Sequence, residues 1–162
     1  MVVWITGMSG SGKSFYAKKI FQKLQKKERK IFIIDGDDVR KYITYNLGYS
    51  LNDRQKNSKI ISDLCKYFES KNYLVICSIL SIFRDHQKRN RKFFNKYIQI
   101  SIEVPKKKLI KRNNKSIYNK RDVVGKNIKF PKPYKPDLLI NNDFDETYKA
   151  NLKKIIALIN AK

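Results

Sequence analysis

The stretch Gly7-Met8-Ser9-Gly10-Ser11-Gly12-Lys13-Ser14 constrains this chain more than any other. It matches the phosphate-loop pattern G-x-x-x-x-G-K-[S/T] and follows an apolar run, Val2-Val3-Trp4-Ile5-Thr6, that reads as a buried strand. Beyond Lys13, residues Ala17, Ile20, Phe21 and Leu24 recur at helical spacing, so the glycines fall at a strand-to-helix turn. Glycines let the backbone curl until several N–H groups point at one set of phosphate oxygens, and the helix N-terminus adds positive potential. Gly7, Ser9, Gly10, Ser11, Gly12, Lys13 and Ser14 are therefore expected to hold the phosphates of ATP. Lys13 would bridge the β- and γ-phosphates, and the Ser14 hydroxyl would ligate Mg²⁺.

A chain of 162 residues is long enough for one domain with a real core and short for two, so a single domain over residues 1–162 is expected. No apolar run approaches the roughly 18 residues of a membrane span, and no basic segment leads into a signal-type apolar region. A cytoplasmic protein without membrane contact is the expectation. Cys65 and Cys77 have neither metal-ligand spacing nor disulfide density and read as buried thiols. The chain carries 37 Lys and Arg against 14 Asp and Glu, a formal net charge of +23. Such a surface attracts nucleic acid or concentrates small anions. Because the lysines are spread over every segment and the aromatics form no nucleic-acid motif with them, compositional bias with anion attraction is preferred to a nucleic-acid face.

Ile31-Phe32-Ile33-Ile34 reads as a second buried strand and ends in Asp35-Gly36-Asp37-Asp38. In a doubly wound parallel sheet the ligand crevice lies at the carboxyl ends of the strands, which puts these acids on the edge that carries the phosphate loop. Asp35 and Asp37, two apart in an extended segment, would share a side and serve Mg²⁺-bound water or a substrate hydroxyl; otherwise Asp37 or Asp38 only caps the following helix. That short helix carries Val39, Arg40 and Ile43 and is read as ending at a Gly48 cap. A longer helix follows from about Asp53 to Lys71, with Ile60, Ile61, Leu64, Cys65 and Phe68 as its core stripe. Arg54 and Asn57 share a face in its first turns and, with Arg40, make a cluster able to hold an anion and a ribose or base edge.

Tyr73 to Ile79 is a third strand, with Ser78-Ile79-Leu80-Ser81-Ile82-Phe83 at its carboxyl end. Arg84 to Lys96 is a basic segment whose His86, the only histidine, is read as a surface residue. Tyr97 to Val104 alternates as a fourth strand, and Pro105 opens a helix as its first residue. Residues 113–136 lose all periodicity and read as a lid whose Lys115, Lys120 and Arg121 close on the phosphates. Leu138-Leu139-Ile140 is the fifth strand, and Tyr148, Leu152, Ile155, Ile156 and Ile159 stripe a terminal helix. The pattern predicts an α/β fold: a phosphate-loop kinase architecture with a doubly wound, mostly parallel five-stranded sheet flanked by helices.

Asp35-Gly36-Asp37-Asp38-Val39-Arg40, Asn46-Leu47-Gly48-Tyr49-Ser50, Asp53-Arg54 and Asn57 resemble the adenylylsulfate (APS) kinase family, whose pattern is D-G-D-N-[VI]-R, N-x-x-L-G-[FY]-S, D-R and N. A weaker likeness runs through Ser78 to Phe83, for S-F-I-S-P-[FY], and through Lys111 to Lys120, for R-D-P-K-G-L-Y-K. The resemblance implies transfer of the γ-phosphoryl of MgATP to the ribose 3′-hydroxyl of a small nucleotide whose 5′ end carries a mixed anhydride. It places the base or hydroxyl-orienting group at Asp37, support for Mg²⁺ at Asp35, and acceptor contacts at Arg40, Arg54 and Asn57. It further places the stacking aromatic at Tyr49, acceptor-facing backbone at Ile79 and Leu80, Ser81 beneath the transferring phosphate, and Arg112 against the ATP adenine. Members are commonly homodimers, which the resemblance carries over only as an expectation.

The chain departs from the pattern at Ile82, where the family has Pro, at His86-Gln87 for D-R, and at Lys115-Ser116 for K-G. The F-T-G-I-D-x-x-Y segment that helps enclose the acceptor's adenine is read as reduced to Phe130-Pro131-Lys132-Pro133-Tyr134. Three functions follow: 3′-phosphorylation of adenylylsulfate; the same reaction on cytidine diphosphoramidate; and, from another class, a basic nucleic-acid-binding NTPase or polynucleotide kinase, which salt-sensitive stimulation by an oligonucleotide would reveal.

Overall fold

The computed structural model describes residues 1–112, 124–125 and 127–162. Its elements alternate: β1 (Val2–Gly7), α1 (Lys13–Leu24), β2 (Ile31–Asp35), α2 (Gly36–Tyr42), α3 (Leu51–Ser70), β3 (Leu74–Ile79), α4 (Arg84–Phe93), β4 (Tyr97–Glu103), α5 (Lys106–Arg112), β5 (Leu138–Asn141) and α6 (Tyr148–Asn160). The sheet has five strands in the order β2-β3-β1-β4-β5, and every pairing is parallel. Parallel neighbours need crossover connections, which the helices supply.

The central strand β1 is buried from end to end because helices cover both of its faces. Its side chains alternate between two cores. Val3 and Ile5 join Ile76, Ile98, Ile100 and Ile102 beneath Ala17 and Ile20 of α1 and Ile155 and Ile159 of α6. Val2 and Trp4 join Val75, Cys77, Ile61, Cys65 and Phe94 on the α3 and α4 side. Burying side chains of this size contributes roughly 1.5–3 kcal/mol each. Cys65 and Cys77 are both free and buried.

Four expectations about elements change. The second strand is not buried: β2 lies at the sheet edge, Phe32 is 40% exposed, and its ring stacks on Phe68 at 4.5 Å. An apolar run alone does not distinguish an edge from a centre. The helix after it does not run to Gly48; it stops at Tyr42, where the Ile43 N–H bonds the Val39 carbonyl. The basic stretch from Arg84 is helical, and its inward residues Gln87 and Asn90 are polar, so no apolar period announces it. Pro105 precedes α5 rather than opening it, and its carbonyl accepts from the Lys108 and Leu109 N–H groups. Half of the sequence-predicted lid, residues 113–123 and 126, lies outside the described residues, Lys115, Lys120 and Arg121 with it.

Candidate active site

The carboxyl ends of β1, β2 and β3 converge on one edge of the sheet, and the phosphate loop is built there first. The Met8 carbonyl accepts from the Ser11 N–H at 3.1 Å and from Lys13 Nζ at 2.9 Å, so the loop closes on itself and folds the lysine inward. A Cβ on Gly7 would come within 2.6 Å of both the Ile102 carbonyl and Ser11 Oγ. Gly12 sits at φ +99° with a Cβ position 2.8 Å from Asn142 Nδ2, so neither position admits a side chain. Helix α1 then begins with no side-chain cap and no acidic residue in its first turn, which leaves its N-terminal potential to an incoming anion. Burial lowers the Lys13 pKa to about 8, while Asp37 and Asp35 act in the opposite direction.

Asp35 is the hub opposite the loop. One carboxylate oxygen accepts from Ser14 Oγ and from Ser78 Oγ, each at 2.6 Å, and the other accepts from the Asp37 N–H at 2.9 Å. The Ser78 bond follows from register, since Asp35 and Ser78 are partners in the β2–β3 ladder. Burial pushes the Asp35 carboxyl up, but these hydrogen bonds and the Lys13 charge outweigh it and hold the group below the ordinary aspartate value. Asp35 is thus the N-cap of α2, a role expected of Asp37 or Asp38, and Asp37 lies in the first helical turn rather than in extended chain. The two carboxylates therefore do not share a side by strand alternation; the capping turn brings Asp37 to the site, exposed.

Beyond α2 the connection to α3 folds back over it. Arg40 donates from Nη1 to the Gly48 carbonyl, and Arg54 donates from Nε to the Tyr49 carbonyl at 2.9 Å. Both guanidinium groups lie over the Tyr49 ring, at 4.8 and 5.4 Å, while the ring remains 53% exposed. Ser50 caps α3 by accepting from the Asp53 N–H at 3.2 Å. Asn57 does not join this surface. It is buried, donating to the Gly36 carbonyl at 3.3 Å and accepting from Thr44 Oγ1 at 3.4 Å, which braces the start of α2.

Ile79 and Ser81 are buried in the turn after β3, with Leu80 half-buried. The Ser81 N–H donates to Thr6 Oγ1 at 3.4 Å, one residue before the phosphate loop. His86, expected at the surface, is half-buried beside Phe83, with Nδ1 3.2 Å from Ser58 Oγ. Arg112 is the last residue of α5. Phe130 is half-buried, and five residues before it Gly125, at φ +93°, faces Met8 so closely that a side chain there would strike the methionine methyl. Val124 and Ile128 bridge across this turn. Gly125 and Phe130 hold the spacing of G-I-D-x-x-Y, a match the Phe130–Tyr134 reading passed over because the intervening residues differ.

Asn142 was also missed. Buried just beyond β5, it donates from Nδ2 to the Ser11 carbonyl and accepts from the Phe144 N–H at 3.3 Å and Tyr16 OH at 3.4 Å. An asparagine after a short apolar run carries no signal of this. Among the described residues, no group of three or more His, Cys, Asp or Glu could hold a metal, and no helix is long and apolar enough to cross a membrane.

Comparison with known proteins bears on the same residues. The adenylylsulphate kinase family model matches residues 1–141, a span that contains the phosphate loop, Asp35, Asp37 and Arg54. An adenylyl-sulfate kinase of Clostridium kluyveri is 28% identical, with 100% of this chain and 84% of that protein covered. A cytidine diphosphoramidate kinase of Campylobacter jejuni is 32% identical, with 98% and 93% covered. Among solved structures, the Mycobacterium tuberculosis APS kinase CysC in complex with AMPPNP and APS superposes with a TM-score of 0.89 at 25% identity, over 98% of this chain and 96% of that one. A phosphate loop facing a helix-capping aspartate at one edge of an all-parallel sheet, matched over most of the chain in sequence and in shape, makes this chain a member of the adenylylsulphate kinase family and an ATP-dependent nucleotide phosphotransferase.

Proposed function

We propose that residues 1–162 act as one kinase domain that transfers the γ-phosphoryl of ATP to the ribose 3′-hydroxyl of a small nucleotide carrying a 5′ mixed anhydride, with adenylylsulfate as the first acceptor. One observation carries the reading: the phosphate loop and Asp37 face each other through Asp35, with the Arg40–Tyr49–Arg54 stack beside them. Lys13 and the α1 N-terminus neutralise the phosphates, and the Gly7–Ser14 backbone orients them. Asp37 orients the acceptor hydroxyl and takes up its proton. The exposed Tyr49 ring offers a surface for the acceptor base, and Arg40 and Arg54, whose guanidinium groups lie 4.8 and 5.4 Å from that ring, place positive charge beside the acceptor's anhydride. Ser81 and the Ile79–Leu80 backbone floor the transfer site and Phe130 walls it; the role of Arg112 against the ATP adenine is the one the family resemblance implies.

Mg²⁺ fits this donor set. The Ser14 hydroxyl, 2.6 Å from the Asp35 carboxylate, is a hard oxygen ligand with an acidic group behind it, which suits a cation bound through one or two protein oxygens and the phosphates. When bound, Mg²⁺ supplies charge neutralisation on the transferring phosphoryl group.

Cytidine diphosphoramidate is the second reading. It is favoured by the Campylobacter jejuni relative and by the residues between Gly125 and Phe130, which depart from the adenine-enclosing pattern. Nothing in the arrangement favours the nucleic-acid reading. A coupled ADP-release assay with MgATP and adenylylsulfate, cytidine diphosphoramidate, AMP, CDP or a short oligonucleotide separates all three. Turnover with the oligonucleotide alone would overturn the proposal.

A further inference from the structure

The turn after β3 and the stretch entering β5 meet on a single side chain, Gln87 of α4, which is 0% exposed. Its Nε2 donates to the Ser81 carbonyl at 3.1 Å and lies 3.3 Å from Ser81 Oγ. Its Oε1 accepts from the Tyr134 N–H at 2.7 Å and from Gln99 Nε2 at 3.1 Å. Both hydrogens and both acceptor sites of the amide are used. The amide's sense is set by backbone groups, since the Ser81 carbonyl demands a donor and the Tyr134 N–H an acceptor. Gln99 completes the tie by donating from Nε2 to the Tyr134 carbonyl at 3.2 Å, so Tyr134 is gripped at both backbone groups.

Only a neutral amide satisfies this arrangement. Arginine or lysine at position 87 brings donors alone and would confront the Tyr134 N–H; glutamate brings acceptors alone and would confront the Ser81 carbonyl. This chain departs from the family's D-R pattern at the same place where its segment before β5 departs as well. Ser81 is in turn bonded through its N–H to Thr6, so Gln87 ties the root of the phosphate loop to the end of the acceptor wall.

We propose that Gln87 is a positioning residue that sets the separation between the Ser81 turn and the Phe130–Tyr134 wall, and with it the choice of acceptor base. The inference rests on the acceptor-side placement of those two segments in the function proposed above. It acts without touching substrate, so its signature is selective: the acceptor side changes and the ATP side does not.

The test is steady-state kinetics of the wild type, Gln87→Met and Gln87→Asn with adenylylsulfate and cytidine diphosphoramidate, ATP being varied separately. Gln87→Met is expected to raise the acceptor KM about tenfold and to change the ratio of kcat/KM between the two acceptors at least about threefold, with the ATP KM within about twofold of wild type. Gln87→Asn keeps an amide one methylene shorter and should shift the same ratio by less; it stands in if Gln87→Met does not fold. Equal changes in both KM values, or an unchanged acceptor ratio in a folded variant, overturn the role of Gln87 and leave the function standing. A wild type that turns over neither acceptor overturns the function and this inference together.

Discussion

The side-chain amide of Asn142 donates to the Ser11 carbonyl across 2.9 Å, joining the end of β5 to a phosphate loop 131 residues earlier in the chain. The loop's curvature is therefore held from outside as well as by its own glycines. Tyr16 OH, which donates to Asn142 Oδ1, also accepts from Asn151 Nδ2 at 3.3 Å, so α1, β5 and α6 share the same brace.

Asn142→Ala removes that brace and leaves the Ser11 carbonyl without its partner. The expected cost is about 1–3 kcal/mol of stability, read by thermal or urea unfolding, together with a severalfold rise in the ATP KM. An ATP KM equal to wild type would mean the loop holds its shape without β5.

Lys13→Ala and Asp37→Ala should each lower kcat at least about a hundredfold, the first by removing charge neutralisation and the second by removing the group that orients the acceptor hydroxyl. Asp37 is exposed and its carboxylate is not the α2 cap, so Asp37→Ala should melt within a few degrees of wild type. Near-normal turnover in Asp37→Ala would remove it from that role.

Arg54→Ala should raise the acceptor KM about tenfold or more while changing the ATP KM little, because its guanidinium lies over the Tyr49 ring and bonds the Tyr49 carbonyl, and makes no bond to the phosphate loop among the hydrogen bonds described above. Tyr49→Phe keeps the ring and should behave as wild type in this assay, whereas Tyr49→Ala should resemble Arg54→Ala. A parallel rise in both KM values would place Arg54 with ATP instead.

Glu69 predicts a pH dependence far from the site. Its side chain is 2% exposed, and although burial pushes the carboxyl up, the Lys96 N–H at 3.1 Å, Lys66 at 3.0 Å and the Asn95 N–H at 3.2 Å outweigh this and hold it below the ordinary glutamate value. A depressed carboxyl stabilises the fold above its unfolded value and loses that contribution as pH falls through the folded one. Glu69→Gln should therefore be less stable than wild type by about 1–3 kcal/mol at pH 7, with the gap closing below about pH 4. A gap independent of pH would assign the effect to packing.

What could be read from the sequence were features with a local signature. The phosphate loop, the striped helices α1, α3 and α6 and the five strands each announce themselves through spacing or apolar runs. Helix α4 stays silent because its inward face is Gln87 and Asn90, amides that look like surface residues until their partners are known. Asp35, the last residue of a strand, turns out to be the cap that brings Asp37 into place, and a shift of two or three residues in the helix boundary decides which aspartate does which. Asn57, grouped by spacing with Arg54, lies buried under α2, since spacing fixes a helical face but not what covers it. Asn142 had no signature at all, because its partners are distant in sequence.

The position of β1 bears on how the molecule is made. It precedes the other four strands of this sheet in sequence, yet it lies in the middle between β3 and β4. Its pairing partners at Leu74–Ile79 and Tyr97–Glu103 emerge much later, and Asn142 later still. Assembly is dominated by non-local parallel pairing, the slow class of chain organisation, and the nascent N-terminal half exposes apolar strands while it waits. Nucleotide competence, although written in the phosphate loop, thus waits for segments up to 131 residues further along the growing chain.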